Sequence, residues 1–357
     1  DFSKIMVEQI DRLLGQHVNK DVLVRSERGE WQHQLWRVVS GAGVPHALVA
    51  EASGGLGLAP GDAMKLIRRM GYSATPLPLA ETMVANYLLA EAGGSLLDGP
   101  ATLMSAADHD GIAITFGHTG AALNGAIRHV PWGGDVEHIV TFARDRGGQG
   151  YLVLLKRDMI AVSCRRRNIA YEPRDDFEFD SVHLPPDAVL KAPAVLLDAG
   201  LLPYIAAIRV QQMVGGMERA LDFALAYANE RVQFGRPIGK FQAVQHMLAI
   251  AAGHFSAASA TADAMAESTC FATDLFSIAV AKSRCGDAAG HVAATCHQVH
   301  GAMGFTHEHL LHFTTRRLWS WRDEGGSESY WDEWLGRKIS ALGGEAVWPV
   351  VTGSRGL

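Results

Sequence analysis

The residues best suited to chemistry lie in two segments, each of which follows a long helical pattern. The first, residues 231–249 (RVQFGRPIGKFQAVQHMLA), begins with Arg231, whose planar, permanently charged guanidinium suits a pyrophosphate. Gly235 and Pro237 predict a sharp connection, because glycine frees the backbone while proline fixes it and removes a donor. The alternative role for Arg231 is to complement the dipole at the C-terminus of the preceding helix.

The second segment, residues 298–306 (QVHGAMGFT), begins with Gln298 and carries Gly301 and Gly304. Glycine allows a backbone to approach a phosphate closely, so this turn is a second candidate for phosphate binding. The alternative is an ordinary glycine-rich connection between two helices.

Three zones of different pattern must position these segments. Apolar residues at helical spacing predict helices in the first hundred residues and three long helices near the end. Short β-branched or alternating runs between them predict strands. The predicted helices cover residues 2–14, 61–70, 80–92, 201–229, 241–269 and 274–299, and the predicted strands cover residues 111–116, 138–143, 150–155, 160–163 and 177–184.

These zones predict a mostly α fold with a central β domain. We expect an N-terminal helical domain over residues 1–99 and a small, antiparallel, barrel-like β domain over residues 100–192. A C-terminal four-helix bundle is expected over residues 193–357, because helices of this length without internal caps are typical of bundles.

Composition excludes several classes of protein. The 357 residues are 48% hydrophobic and 20% charged, which is typical of a globular protein, and the net charge of −6 argues against a nucleic-acid binder. From the sequence we expect neither a signal peptide nor a membrane-spanning stretch. The four cysteines are widely spaced, so we expect reduced thiols and a cytoplasmic location.

Both segments resemble the acyl-CoA dehydrogenase family. Residues 231–249 match its pattern R-x-x-F-G-x-P-I-x-x-F-Q-x-x-Q-x-x-L-A, and residues 298–306 match Q-x-x-G-G-x-G-F-T except at Ala302, where the family has glycine. In this family the second block contacts the ADP half of the FAD that belongs to a neighbouring subunit. The resemblance therefore implies FAD as cofactor, with binding residues Arg231, Gln233, Phe234, Gln242, Gln298, Gly301 and Ala302.

The resemblance extends through most of the chain, since residues 51–57 resemble the family's P-E-x-x-G-G-x-G loop. It implies FAD-dependent α,β-dehydrogenation of an acyl-CoA, in which a carboxylate removes the C2 proton and the flavin N5 takes hydride from C3. An electron-transfer flavoprotein or similar acceptor would then reoxidise the flavin. A homo- or hetero-oligomer, a dimer or tetramer with a family paralogue, is also implied.

The family's catalytic base lies in an E-G-T/S stretch, for which this chain has residues 322–329 (RDEGGSES). Matching Glu-Gly to Glu-Gly selects Glu324, whereas counting from Arg317 selects Asp323. The base is therefore Glu324, Asp323 or absent, and the alternative for this stretch is a solvated acidic turn. Some family members carry the base on the first long helix, but the corresponding residue here is Ile205.

Two further departures concern the flavin ring. The family's T-E-x-x-x-G-S-D loop is missing from residues 103–110, and its W-I-T tripeptide becomes His129, Val130 and Pro131. Proline has neither the N–H nor the hydroxyl that would contact the ring. Two alternatives therefore stay open: a non-catalytic partner chain of an αβ acyl-CoA dehydrogenase that supplies ADP-side contacts, and a flavin monooxygenase or oxidase on the same scaffold.

Five histidines lie close together in the sequence near the second segment. Their spacing does not repeat the H-x-x-x-H pattern of a helical metal site, and no cysteine falls at a ligand spacing, so we expect no metal ion. These histidines are His297, His300, His307, His309 and His312.

Overall fold

The computed structural model describes residues 2–105, 112–117, 120–197, 199–267 and 274–352, and the fold below is that of these residues. Five helices precede the sheet and six follow it. The helices are α1 Phe2–His17, α2 Lys20–Glu27, α3 His33–Gly41, α4 Pro60–Tyr72, α5 Leu79–Glu91, α6 Leu202–Glu230, α7 Gln242–Glu267, α8 Leu275–His300, α9 Leu311–Trp321, α10 Glu328–Leu342 and α11 Val347–Val351.

Eight strands form one mixed sheet, in the order β6-β7-β3-β2-β4-β5-β8, with β1 paired to β4. Two more strands form a small hairpin between α6 and α7. The strands are β1 Ala101–Met104, β2 Ile112–Gly117, β3 Gly120–Pro131, β4 His138–Arg144, β5 Gly150–Lys156, β6 Val162–Cys164, β7 Arg174–Leu184, β8 Val189–Lys191, β9 Val232–Gln233 and β10 Arg236–Pro237.

The sheet differs from the expected antiparallel, barrel-like domain. Strand β1 pairs with β4 in parallel, with Ala101 opposite His138, and β2 also meets β4 in parallel. A parallel pair needs a crossover, which β2 and β3 supply. Among the described residues the end strands β6 and β8 each pair with one neighbour, so a closed barrel is not confirmed.

The N-terminal helices pack directly on the bundle. Helices α4 and α6 cross so closely that a side chain at Gly215 would meet the backbone of Arg68, and one at Gly71 would meet that of Gln212. One continuous apolar core extends from Met6 in α1 to Trp331 in α10. The boundaries at residues 99 and 192 stay predictions, because the helical core runs across both.

The three long helices form the centre of the C-terminal part. Their contact faces are lined by small residues, such as Ala258 on α7 and Ala281 and Cys285 on α8, which let the helix axes lie close together. Helices α9 and α10 pack against this trio. None of the helices in the described ranges combines the length and the apolar composition that a bilayer crossing requires.

Candidate functional site

A cavity of about 460 Å³ lies where the sheet meets the bundle. Its walls come from β1, β3, the start of α6 and the turn between α9 and α10. Most of the side chains from the strands and α6 are apolar, whereas the turn contributes carboxylates. The lining residues are Leu103, Ser105, Ile127, Arg128, His129, Val130, Pro131, Leu202, Ile205, Asp323, Glu324, Gly325, Gly326, Ser327 and Tyr330.

Glu324, the first candidate for the base, is held by two arginines. Arg174 donates from Nε to Oε1 at 2.8 Å and from Nη2 to Oε2 at 2.9 Å. Arg209 donates from Nε to Oε2 at 2.7 Å. Asn168 adds a hydrogen bond to Oε1 at 3.2 Å. Both carboxylate oxygens therefore already accept charge-assisted hydrogen bonds from within the chain.

The two arginines belong to a larger buried group of charges. Arg209 also pairs with Glu81 of α5 at 2.8 Å, and Arg174 pairs with Glu172 at 2.9 Å. Arg317 of α9 lies 3.1 Å from Glu172, whose carboxylate also accepts from the Trp321 ring at 3.2 Å. The group, which we call the six-charge network, contains three carboxylates and three guanidiniums: Glu81, Glu172, Glu324, Arg174, Arg209 and Arg317.

The six-charge network has no net charge when all its groups are ionised, and its arginines lower the pKa values of its carboxylates. Burial by itself would raise the pKa of Glu324, but Arg174 and Arg209 outweigh it and hold the pKa below its usual value. Burial would also raise the pKa of Glu172, but Arg317 and Arg174 outweigh it and lower that pKa to about 2. Both carboxylates are therefore ionised and weakly basic at neutral pH.

The turn that carries Glu324 is fixed from two sides. Gly325 has a φ of 71° and lies against the backbone of Ala206 on α6. On the other side the buried ammonium of Lys282 donates to the carbonyl of Arg322 at 2.6 Å and to that of Gly326 at 2.7 Å. Asp323, the second candidate for the base, is exposed and lines the same cavity.

The end of β3 offers little to a flavin ring. The N–H of His129 donates to Asp176 at 2.9 Å and that of Trp132 donates to the Pro173 carbonyl at 3.1 Å, while Pro131 has no N–H. The ring of Trp132 is buried against Trp31, with centroids 6.2 Å apart. These residues do not fit the ring contacts that the sequence motif implies. Residues 106–110 of the missing loop lie outside the described residues.

The first predicted FAD segment forms an exposed hairpin at the end of α6. Arg231 caps the helix in an extended conformation, and the chain reverses at Phe234 and Gly235, which have φ values of 51° and 76°. The sharp connection predicted here is therefore present. Phe234 is 92% exposed, and Gln242 is exposed at the first turn of α7.

The second predicted FAD segment lies at the same end of the bundle. Tyr227, one turn before Arg231, stacks on His300 with ring centroids 4.6 Å apart, and Gly301 follows His300. Gln298 and Ala302 are exposed like Gly301. The guanidinium of Arg231, the side-chain amides of three glutamines and the glycine-rich turn therefore all face solvent at this end of the bundle. The glutamines are Gln233, Gln242 and Gln298. This set of hydrogen-bond donors fits a nucleotide diphosphate.

Two of the clustered histidines, His297 and His300, are buried at the second segment. His297 Nε2 and the Thr315 hydroxyl are hydrogen-bonded at 2.8 Å, and the His297 ring stacks on Phe305. His300 bonds the Cys296 carbonyl through Nδ1 at 2.7 Å. Within the described ranges the clustered histidines form no group of three metal ligands.

The ion-pair partners of Glu324 were not predicted from the sequence. Arg209 lies within an otherwise apolar run of α6, and Glu81 lies in a buried apolar helix. A charge inside an apolar run is a signal for a buried partner, because an unpaired buried charge is very costly. The signal does not say which residue the partner is.

Comparisons with known proteins agree with this fold. Residues 205–330 match the family model described as acyl-CoA dehydrogenase, C-terminal domain. The chain is 25% identical to acyl-CoA dehydrogenase IpdE2 of Mycobacterium tuberculosis over 320 residues, which cover 88% of this chain and 90% of the relative. It is 31% identical over 328 residues to acyl-CoA dehydrogenase FadE34 of the same organism; the match covers 88% of this chain but only 43% of FadE34.

A solved structure, the ChsE4–ChsE5 complex from Mycobacterium tuberculosis, has the same fold. One of its chains superposes with a TM-score of 0.85 at 20% identity, with coverage of 95% of this chain and 97% of that chain.

Proposed function

This chain belongs to the acyl-CoA dehydrogenase family, and from that premise we propose that it is the partner chain of a heteromeric enzyme. The relatives and matched structures support the expected enzyme class, an oxidoreductase that acts on acyl-CoA. They also support FAD, the expected cofactor. In our proposal this chain supplies contacts to the ADP half of a neighbouring subunit's FAD. The neighbouring subunit holds the flavin ring and removes the C2 proton.

The observation that carries the proposal is the position of Glu324 between Arg174 and Arg209. A general base needs a free lone pair directed at the substrate, and both oxygens of Glu324 accept from guanidiniums. Turning the carboxylate toward the cavity would take one of two carboxylate partners from each of two buried arginines, because Arg174 would keep only Glu172 and Arg209 only Glu81. Such a loss of charge balance in a buried network is unfavourable. In this arrangement Glu324 acts as an ion-pair partner.

The exposed end of the bundle supports the proposed contacts to the ADP half of a neighbouring subunit's FAD. Arg231, Gln242 and Gln298 face solvent, and the apolar ring of Phe234 beside them is almost fully exposed. Val232 of the same hairpin is also more than half exposed, and an exposed apolar patch next to polar groups is typical of an interface. One chain of the ChsE4–ChsE5 complex has this fold, and a complex of that kind supports a partner chain for this protein.

A self-sufficient dehydrogenase with Asp323 as base is the second candidate. One observation favours it: Asp323 lines the cavity and is exposed, so its carboxylate can reach a bound molecule. The acyl group, the electron acceptor and a cytoplasmic location stay proposals under either candidate, and a bulky acyl-CoA is the class we would test first.

Flavin content and turnover distinguish the two candidates. The chain is purified alone and after co-expression with a paralogue of the same family, and FAD is measured by absorbance and acyl-CoA oxidation by dye reduction. We expect a colourless chain alone and a yellow, active complex. Stoichiometric FAD and turnover in the chain alone would overturn the partner role.

Two pairs of variants sharpen the result in the complex. Arg231→Ala should weaken FAD retention about tenfold or more, because a charge-assisted hydrogen bond is lost, whereas Arg37→Ala, an exposed arginine on α3, should not. Glu324→Gln and Asp323→Asn should both leave the turnover number of the folded complex unchanged. Loss of turnover with FAD retained would identify the mutated carboxylate as the base.

A further inference from the structure

Three potential metal ligands meet on the outer face of the bundle, away from the six-charge network. His254 comes from α7, and Asp287 and His291 come from successive turns of α8. One ligand atom from each lies within 4.8 Å of the other two. The rings of His254 and His291 stack with centroids 4.2 Å apart, so both imidazoles lie beside the carboxylate.

The separations approach those of a metal centre. Asp287 Oδ2 lies 3.8 Å from His254 Nδ1, and Asp287 Oδ1 lies 3.5 Å from His291 Nε2. Ligand atoms around a tetrahedral zinc, with bonds of about 2.0–2.1 Å, are about 3.4 Å apart. Small side-chain rotations would close the difference, because the two helices pack along their length and fix the backbone positions.

A positive group already lies among these ligand atoms. Arg284 donates to Asp287 Oδ2 at 2.5 Å and to His254 Nδ1 at 3.1 Å. Since a guanidinium can only donate, His254 must accept through Nδ1 and is neutral. The lone pairs of His254 and Asp287 thus converge on one cationic group, which marks where a metal ion would lie.

We propose that His254, Asp287 and His291 bind a late first-row divalent cation, Zn²⁺ in particular, in competition with the Arg284 side chain. Two imidazoles and one carboxylate favour zinc over magnesium or calcium, which take mainly oxygen ligands. All three ligands are at least partly exposed, so water can complete the coordination. Bound metal would clamp α7 to α8. The clamp does not depend on the proposed partner role.

Zinc binding to untagged, chelator-treated protein tests the site. Isothermal titration with ZnCl₂, checked by competition with a chromogenic chelator, should show one site in the wild type. MgCl₂ should show none. The double variant His254→Ala/His291→Ala should lose that site, whereas His246→Ala, which removes another exposed histidine of α7, should keep it. Unfolding of each protein without metal verifies that it is folded.

The competing arginine provides the decisive comparison. Arg284→Ala should bind Zn²⁺ at least tenfold more tightly than the wild type, because the metal no longer displaces a paired guanidinium. A thermal shift with ZnCl₂ should rank the proteins in the same order. Equal zinc binding by the wild type and the double variant would overturn the proposal, as would unchanged or weaker binding by Arg284→Ala.

Discussion

The Oε2 atom of Glu324 lies 2.7 Å from Nε of Arg209, and Nη2 of the same arginine lies 2.8 Å from Glu81. Arg209 thereby joins the turn after α9 to helix α5, more than two hundred residues away in sequence. With Arg174 at the start of β7, the contacts of Glu324 bring together the N-terminal helices, the sheet and the bundle. Glu324, the first candidate for the base, therefore helps to hold these three parts of the fold together.

Glu324→Gln should therefore destabilise the fold. The substitution leaves three guanidiniums against two carboxylates in the six-charge network, and we expect this excess positive charge to lower the free energy of unfolding by about 3 kcal/mol. Urea denaturation monitored by circular dichroism measures it. Asp323→Asn, one residue away but exposed, is the matched control and should resemble the wild type; equal losses in both variants would contradict a special role for Glu324.

Lys282→Met should change how stability depends on alkaline pH. Burial lowers the pKa of Lys282 to about 8 from 10.5. Between these values the unfolded chain holds a proton that the folded chain has released, so wild-type stability gains relative to the variant as pH rises. The gain should approach about 3 kcal/mol between pH 8 and 10.5. A constant difference between the two proteins in urea titrations would refute this assignment.

His312→Phe should reduce sensitivity to acid. Burial, and then the positive charge of Arg316, lower the pKa of His312 to about 4, and its Nδ1 accepts from Arg316 at 3.1 Å. As pH falls from 6.5 to 4 the unfolded chain takes up a proton that the folded chain resists, so the wild type loses stability. The phenylalanine variant lacks this loss. Denaturation midpoints at several pH values measure it, and parallel curves would argue against it.

Gly325→Ala should cost more than the same change at Gly343. Both glycines have positive φ, 71° and 85°, but a Cβ at Gly325 would lie 2.8 Å from Ala206 Cα, whereas Gly343 has open space. Gly343 has a ψ of 156°, a backbone conformation essentially restricted to glycine, so Gly343→Ala should lose about 1–3 kcal/mol from backbone conformation alone. Gly325→Ala adds a clash with α6 and displaces the turn that carries Glu324. Thermal unfolding compares them; equal shifts would mean that the turn relaxes freely.

The elements predicted from sequence are those with strong local signals. The three long helices appear within a few residues of their predicted ends, because their apolar spacing persists over many turns. Strand β3 was missed: bulges interrupt its alternation between Leu123 and Gly125 and between Ile127 and Val130. The short helices α2 and α3 were also missed, since too few turns repeat the pattern.

The sequence by itself determined the resemblance to the family, the two segments predicted to contact FAD and the departures from the family's ring-contacting motifs, because each depends on residues that are neighbours along the chain. Only the tertiary structure decided what surrounds Glu324. Its ion-pair partners Arg174 and Arg209 are 150 and 115 positions away. Whether a carboxylate is basic depends on the charges within a few ångströms, and only the packing of distant segments places them there.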